Sequence, residues 1–86
     1  MSHRNRLDIM ADILKASLGG SKKTHVMYRC NLSFTQLEKY LSFMRSKGLL
    51  RIAVEDGSRK SELFEPTEKG NSFLQKYGRL KALLSV

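Results

Sequence analysis

Asn31-Leu32-Ser33-Phe34-Thr35-Gln36 forces a sharp corner between two helices. Ser33 and Gln36 form a capping box: the Ser33 hydroxyl can accept from the Gln36 backbone N–H while the Gln36 side chain reaches back to the Ser33 N–H. A helix therefore starts at this point and leaves only Asn31-Leu32 to join it to what precedes. Upstream, Val26, Met27 and Cys30 can share one helical face, which predicts a short helix reaching about Arg29, capped by Ser21 or Thr24. Two helices joined this tightly form a helix-turn-helix.

The flanking segments add one helix before this pair and a hairpin and a helix after it. Ile9, Met10, Ile13, Leu14 and Leu18 recur at helical spacing, Asn5 can cap them with Asp8 three residues on, and Gly19-Gly20 stops the run, giving a helix over 6–18. The capped helix extends over 33–46, with Lys47 and Gly48 suited to its end. Phe34, Leu37, Leu41 and Met44 cluster on one side and are expected to be core. Thr35, Lys39, Ser42 and Ser46 oppose them, flanked by Gln36 and Phe43, and this face carries no acid. Leu49–Val54 and Ser61–Glu65 are β-rich, and the turn residues between them place Arg59 and Lys60 near the tip of a hairpin. Pro66 closes that hairpin, and Thr67 is the expected cap of a last helix of about 18–20 residues. There Phe73, Tyr77, Leu80 and Leu84 follow one another at spacings of four, three and four, with Leu74 and Leu83 beside them, as in a coiled-coil seam. The order predicts a mainly α, α+β fold: a winged helix-turn-helix core over 1–66 and a C-terminal dimerisation helix over 67–86, within one domain.

Size and charge narrow the function. A chain of 86 residues buries only about 60–65% of its unfolded surface, so a partner subunit can supply missing core. Sixteen Lys and Arg against eight Asp and Glu give a net charge of +8, which favours a polyanionic partner. The excess is uneven: residues 1–30 hold six basic and two acidic side chains, whereas 49–66 hold three and four. The lone Cys30 excludes an internal disulfide or cysteine cage and is expected to be a small buried residue. Asn31-Leu32-Ser33 matches a glycosylation sequon by chance, since no secretion signal precedes it. No run is long enough to span a bilayer, so a cytoplasmic, nucleoid-associated protein with no membrane partner is expected. No nucleophile–base pair, metal-ligand spacing or phosphate-binding loop is present; Gly19-Gly20-Ser21-Lys22-Lys23 lacks P-loop spacing. The chain reads as a non-enzyme without cofactor or metal.

The stretch Thr24–Leu41, then Lys47-Gly48-Leu49-Leu50, then Thr67-Glu68-Lys69-Gly70 resembles the archaeal winged helix-turn-helix regulators. The Asn-Leu-Ser turn, the Lys39-Tyr40-Leu41 triplet and the Thr-x-Lys-Gly opening of the last helix are its most specific parts. The resemblance implies a dimeric DNA-binding protein, in a group that includes gene-specific regulators, small archaeal viral proteins and chromatin proteins dimerised through a C-terminal coiled coil. The last helix is shorter here than in those chromatin proteins, and the hairpin strands are net acidic.

In a helix-turn-helix the second helix enters the major groove and its N-terminal residues meet base edges. Ser33, Thr35, Gln36 and Lys39 are then the candidate readers, although Ser33 and Gln36 also have the capping role. Lys22 and Lys23 at the start of the short helix, Arg29 by the turn, and Arg59 and Lys60 on the wing over 55–61 are phosphate candidates. Arg4 and Arg6 are expected to form a flexible arm. His25 is expected to be partly buried and structural, and Tyr28 and Tyr40 to pack with hydroxyls at the surface. Phe73, Tyr77, Leu80, Leu83 and Leu84 are the candidate dimer interface. A homodimeric transcriptional regulator of double-stranded DNA leads; a nucleoid protein with little sequence preference and a protein–protein adaptor are the alternatives.

Overall fold

The computed structural model describes residues 4–54 and 62–84. Its elements are α1 (Arg6–Ala16), α2 (Lys23–Cys30), α3 (Phe34–Ser46), β1 (Leu50–Val54), β2 (Glu62–Pro66) and α4 (Glu68–Leu84). The hairpin tip over 55–61, with Arg59 and Lys60, lies outside the described residues.

The predicted boxes at Asn5 and Ser33 both form. Asn5 accepts from the Asp8 N–H at 2.8 Å while the Asp8 carboxylate accepts from the Asn5 N–H. Ser33 accepts from the Gln36 N–H at 3.1 Å, and Gln36 Oε1 accepts from the Ser33 N–H at 3.0 Å. The turn between α2 and α3 is as tight as expected because Asn31 adopts the left-handed conformation, φ 54°, which asparagine tolerates better than most residues. Its N–H and that of Leu32 return to Tyr28 and Met27 carbonyls, and Leu32 drops into the core.

Two boundaries differ from expectation. Helix α1 ends at Ala16 rather than 18, because Ser17 turns inward, buried, and its hydroxyl donates to the Leu14 carbonyl at 3.1 Å. Neither Ser21 nor Thr24 caps α2: the N-cap is Lys22, with no side-chain cap bond. Ser21 is spent elsewhere. Its hydroxyl donates to the Ala16 carbonyl at 2.7 Å, and its backbone exchanges two hydrogen bonds with Phe64 at 2.9 and 2.8 Å. That bridge adds a short rung to the antiparallel pair β1–β2, in which Ile52 faces Phe64 and Arg51 faces Glu65. The loop after α1 thereby holds the hairpin against the helices.

The core lies where these elements meet. Ile13, Leu14, Val26, Leu37 and Met44 are fully buried, joined by Met10, Cys30, Leu41, Leu49, Leu50 and Phe64. Burial pushes the Cys30 thiol pKa upward, as expected of a small core residue. Phe34 departs from the predicted core: it sits at the first helical position of α3, where the chain still enters from solvent, and 58% of it is exposed.

The Thr67-Glu68-Lys69-Gly70 motif clamps α4 to the end of α3. Thr67 accepts from the Gly70 N–H at 3.1 Å, as predicted for the cap, and donates its own proton to the Gly48 carbonyl. Lys69 donates to the Lys47 carbonyl at 2.7 Å, and Gly70 packs on the backbone of Leu49. Carbonyls left open at the α3 C-terminus are thus satisfied by the start of α4.

Candidate nucleic-acid interface

Among the described residues singled out for DNA, Lys22 and Arg29 of the α2 segment and Thr35, Gln36 and Lys39 of α3 are exposed. On α3, Thr35, Lys39, Ser42 and Ser46 are all exposed opposite Leu37, Leu41 and Met44. Lys39 has no acidic partner among the described residues, and no acid stands on that face. Gln36 is exposed, but its carbonyl oxygen is held by the capping box. A bidentate pairing with adenine would therefore have to share that oxygen with the Ser33 N–H.

The first turn of α2 lies against the start of α3, where Lys23 meets Glu38 and Phe34. Because Lys22 provides no side-chain cap, amide donors there stay open beside an exposed lysine. Lys23 is less available than its position promised. Its ammonium is 2.7 Å from Glu38 Oε1 and 5.4 Å from the Phe34 ring centroid, tying α2 to the start of α3. Arg29 is exposed at the far end of α2.

Other expectations are overturned by packing. Arg4 is no free arm: its guanidinium donates to the Cys30 carbonyl at 2.7 Å and pairs with Asp12 at 3.1 Å, closing the end of α2. Arg6 instead lies over the Phe43 ring, 5.6 Å from its centroid. His25 is exposed rather than partly buried, and Tyr28 is 80% exposed rather than packed, because both sit away from the Val26–Cys30 face of α2. They line a shallow bowl with Lys22 and with Leu63 of β2. Tyr40 is packed against the core edge as expected. Phe34 and Tyr28 are surface aromatics that the sequence reading misassigned; for Tyr28 its distance around α2 from Val26 and Cys30 was the available clue, whereas Phe34 shares the phase of Leu41 and is exposed because it opens α3.

The apolar seam on α4 divides in two. Phe73 and Leu74 pack against the core edge, and Phe73 stacks with Tyr77 at 6.3 Å between centroids. Tyr77 donates its hydroxyl to Asp8 of α1. That bond holds the Asp8 carboxyl below its ordinary value, aided by the Asn5 N–H, and raises the Tyr77 phenol to about 12. Beyond it Leu80, Leu83 and Leu84 are exposed, and a groove runs between Leu7 of α1 and Phe73, Lys76, Tyr77 and Leu80. Among the described residues no cluster of His, Cys, Asp or Glu could hold a metal, and no helix is long and apolar enough to cross a membrane.

Three helices, a tight left-handed turn between the second and third, and an antiparallel hairpin closed onto the helix-one loop define a winged helix-turn-helix fold. The chain belongs to the winged helix-turn-helix family, whose model matches residues 3–85. Its structure is similar to that of Sso10a-2, a DNA-binding protein from Sulfolobus solfataricus, with 26% identity over 94% of this chain and 85% of that one and a TM-score of 0.76. It is also similar to the transcriptional regulator BldR from Sulfolobus solfataricus, at 22% identity and TM-score 0.76, covering 88% of this chain and 56% of that one. A third similar structure is Streptococcus pneumoniae FabT in complex with DNA, at 15% identity and TM-score 0.72, with 91% of this chain and 53% of that one covered. The chain spans little more than half the length of these last two proteins. No curated protein matches it in sequence.

Proposed function

We propose that this chain is a homodimeric transcriptional regulator of double-stranded DNA, with the helix over 33–46 in the major groove and the wing over 55–61 near the backbone. The observation that carries the reading is the exposed polar face of α3, where Thr35, Lys39, Ser42 and Ser46 stand without an acid among them, in a helix-turn-helix whose α2 has an uncapped first turn. Thr35 and Lys39 meet base edges or adjacent phosphates; Gln36 joins them while sharing its oxygen with the box, and Ser33 serves mainly as the cap. Lys22 with the open α2 amides takes a phosphate, and Arg29, Arg59 and Lys60 add backbone charge. Lys23 contributes once its pairing with Glu38 is exchanged for a phosphate. Phe34, exposed at the N-terminus of the reading helix, suits apolar contact with a thymine methyl group.

Dimerisation follows from the outer half of the α4 seam. A monomer this small leaves Leu80, Leu83 and Leu84 in water next to the groove at Leu7, and a second copy would cover them together with Phe73 and Tyr77. The core over 1–66 and the helix over 67–86 then act as one unit, reader and dimeriser, in the cytoplasm.

Selection of bound duplexes from a random pool, with affinities measured across a salt series, tests this reading. An enriched two-fold symmetric site, and log K falling with log salt at about −0.9 per neutralised phosphate, support it. The same slope without enrichment would make the chain a nucleoid protein. No binding at low salt would remove the DNA function and leave a protein–protein adaptor.

A further inference from the structure

We propose that the bowl beside α2 stacks an unpaired nucleobase, so that the chain binds single-stranded DNA there, whether or not the polar face of α3 reads a duplex. His25 and Tyr28, three residues apart on one side of α2, form the wall of the bowl with Lys22 and Thr24, and Leu63 of β2 faces them. Gly20, at φ 92°, adds no side chain to the floor, where a Cβ would stand 3.4 Å from Leu63 Cδ1. The space is about 530 Å³, within the size range of small-ligand sites.

The two rings are uncommitted. Tyr28 is 80% exposed, and the side chains of His25 and Tyr28 make no hydrogen bond, ion pair or ring contact among the described residues. Phe34, Phe43 and Tyr77, by contrast, each carry a lysine or arginine charge over the ring. The lining holds no acid, and Lys22 and Arg29, exposed and unpaired among the described residues, bracket the rings along α2. Open rings between cations suit a flat base on an anionic backbone: the base covers Tyr28 and Leu63, and the flanking phosphates meet Lys22 and Arg29. In a duplex the base faces are stacked on one another, so only an unpaired base can use the rings. A stable protein partner needs about 800 Å² on each side, far more than two rings and a leucine offer.

Fluorescence anisotropy of a labelled oligothymidylate of about 12 residues, titrated with the full chain at low salt, tests the site against an abasic oligomer carrying the same phosphates. The oligothymidylate is expected to bind at least about fivefold more tightly, the lower end of what one base stacked on an aromatic ring contributes. Tyr28→Ala should remove that preference and Tyr28→Phe should keep it, with the abasic affinity and the far-ultraviolet spectrum unchanged in both. Equal affinity for the two oligomers, or a preference that survives in Tyr28→Ala, would overturn the site. Displacement of the oligomer by thymidine monophosphate at equal nucleotide concentration would overturn the strand in favour of a free nucleotide. A duplex titrated alongside should bind wild type and Tyr28→Ala alike; a parallel loss would make Tyr28 part of the duplex contact and overturn a separate site. If no duplex is bound at all, the duplex reading fails and the oligomer titrations still decide the bowl.

Discussion

Gly70, in the first turn of α4, faces the backbone carbonyl of Leu49 so closely that a methyl group added to it would overlap that oxygen and come within 3.1 Å of Leu14 Cδ2. The Leu49 oxygen cannot easily move, since it accepts from the Thr67 N–H at 3.1 Å. Gly70→Ala is therefore expected to lose about 3 kcal/mol of stability by overpacking. Gly78 lies in the same helix with open space at its Cβ position, and Gly78→Ala should gain about 0.5–1 kcal/mol from helix propensity. Urea unfolding of the two variants, at equal protein concentration, should give opposite signs. Equal effects would mean that α4 is not seated on Leu49.

The bond from Tyr77 to Asp8 makes stability depend on pH at both extremes. Asp8 is held below its ordinary value of 3.8, first by Tyr77 and then by the Asn5 N–H. A carboxylate with a depressed folded value contributes stability that is present above the unfolded value and lost as pH falls through the folded one, here below 3.8. Tyr77, raised from 10.0 to about 12, contributes stability that is present below 10 and lost as pH rises toward 12. Tyr77→Phe should flatten both limbs in thermal melts recorded from acid to alkaline pH. An unchanged acid limb would place the source of acid sensitivity in another carboxylate.

Phe34 offers a test of groove reading that separates recognition from charge. Replacing single thymines by deoxyuridine in a selected site removes one methyl group each and leaves the hydrogen-bonding edge intact. One position is expected to weaken wild-type binding by about three- to fourfold, the worth of one buried methyl at ~0.8 kcal/mol. Phe34→Ala should lose that discrimination while keeping the salt slope. Retention of thymine preference in Phe34→Ala would assign it to another side chain, with Thr35 next in place.

Leu80 is 51% exposed, so a charge there is tolerated by a single copy and penalised in an interface. Leu80→Lys is expected to yield folded monomers at micromolar concentration in sedimentation, with a far-ultraviolet spectrum like that of the parent and much weaker binding to a two-fold site. A persistent dimer would move the interface away from the α4 seam.

The elements whose ends are governed by short-range chemistry were legible. Asn5 with Asp8, and Ser33 with Gln36, close their boxes between residues three apart, and Asn31 and Gly48 turn left-handed where the helices stop. Thr67 was readable as a cap for the same reason. Legibility failed where a side chain had a distant competitor. Ser21 is as good a cap residue as Ser33, but Phe64, 43 positions away, captures its backbone. Arg4 reads as loose charge until the end of α2 is folded back within reach of it. Phe34 has the period of a core residue, yet the helix starts before the core does.

For the candidate site, composition and helical phase were enough to put Thr35, Gln36 and Lys39 on an exposed face, because a helix of known phase needs no knowledge of its neighbours. They could not tell that Lys23 would be paired with Glu38, or that Arg6 would come to lie on Phe43. Those outcomes depend on the angles at which α1, α2 and α3 meet. Local hydrogen bonds between near neighbours determined which helices form, where they end and how the chain turns between them. Long-range packing alone decided which charges are neutralised, which aromatics stay in water and which half of the α4 seam remains open, since each of these is a choice between partners far apart in the chain.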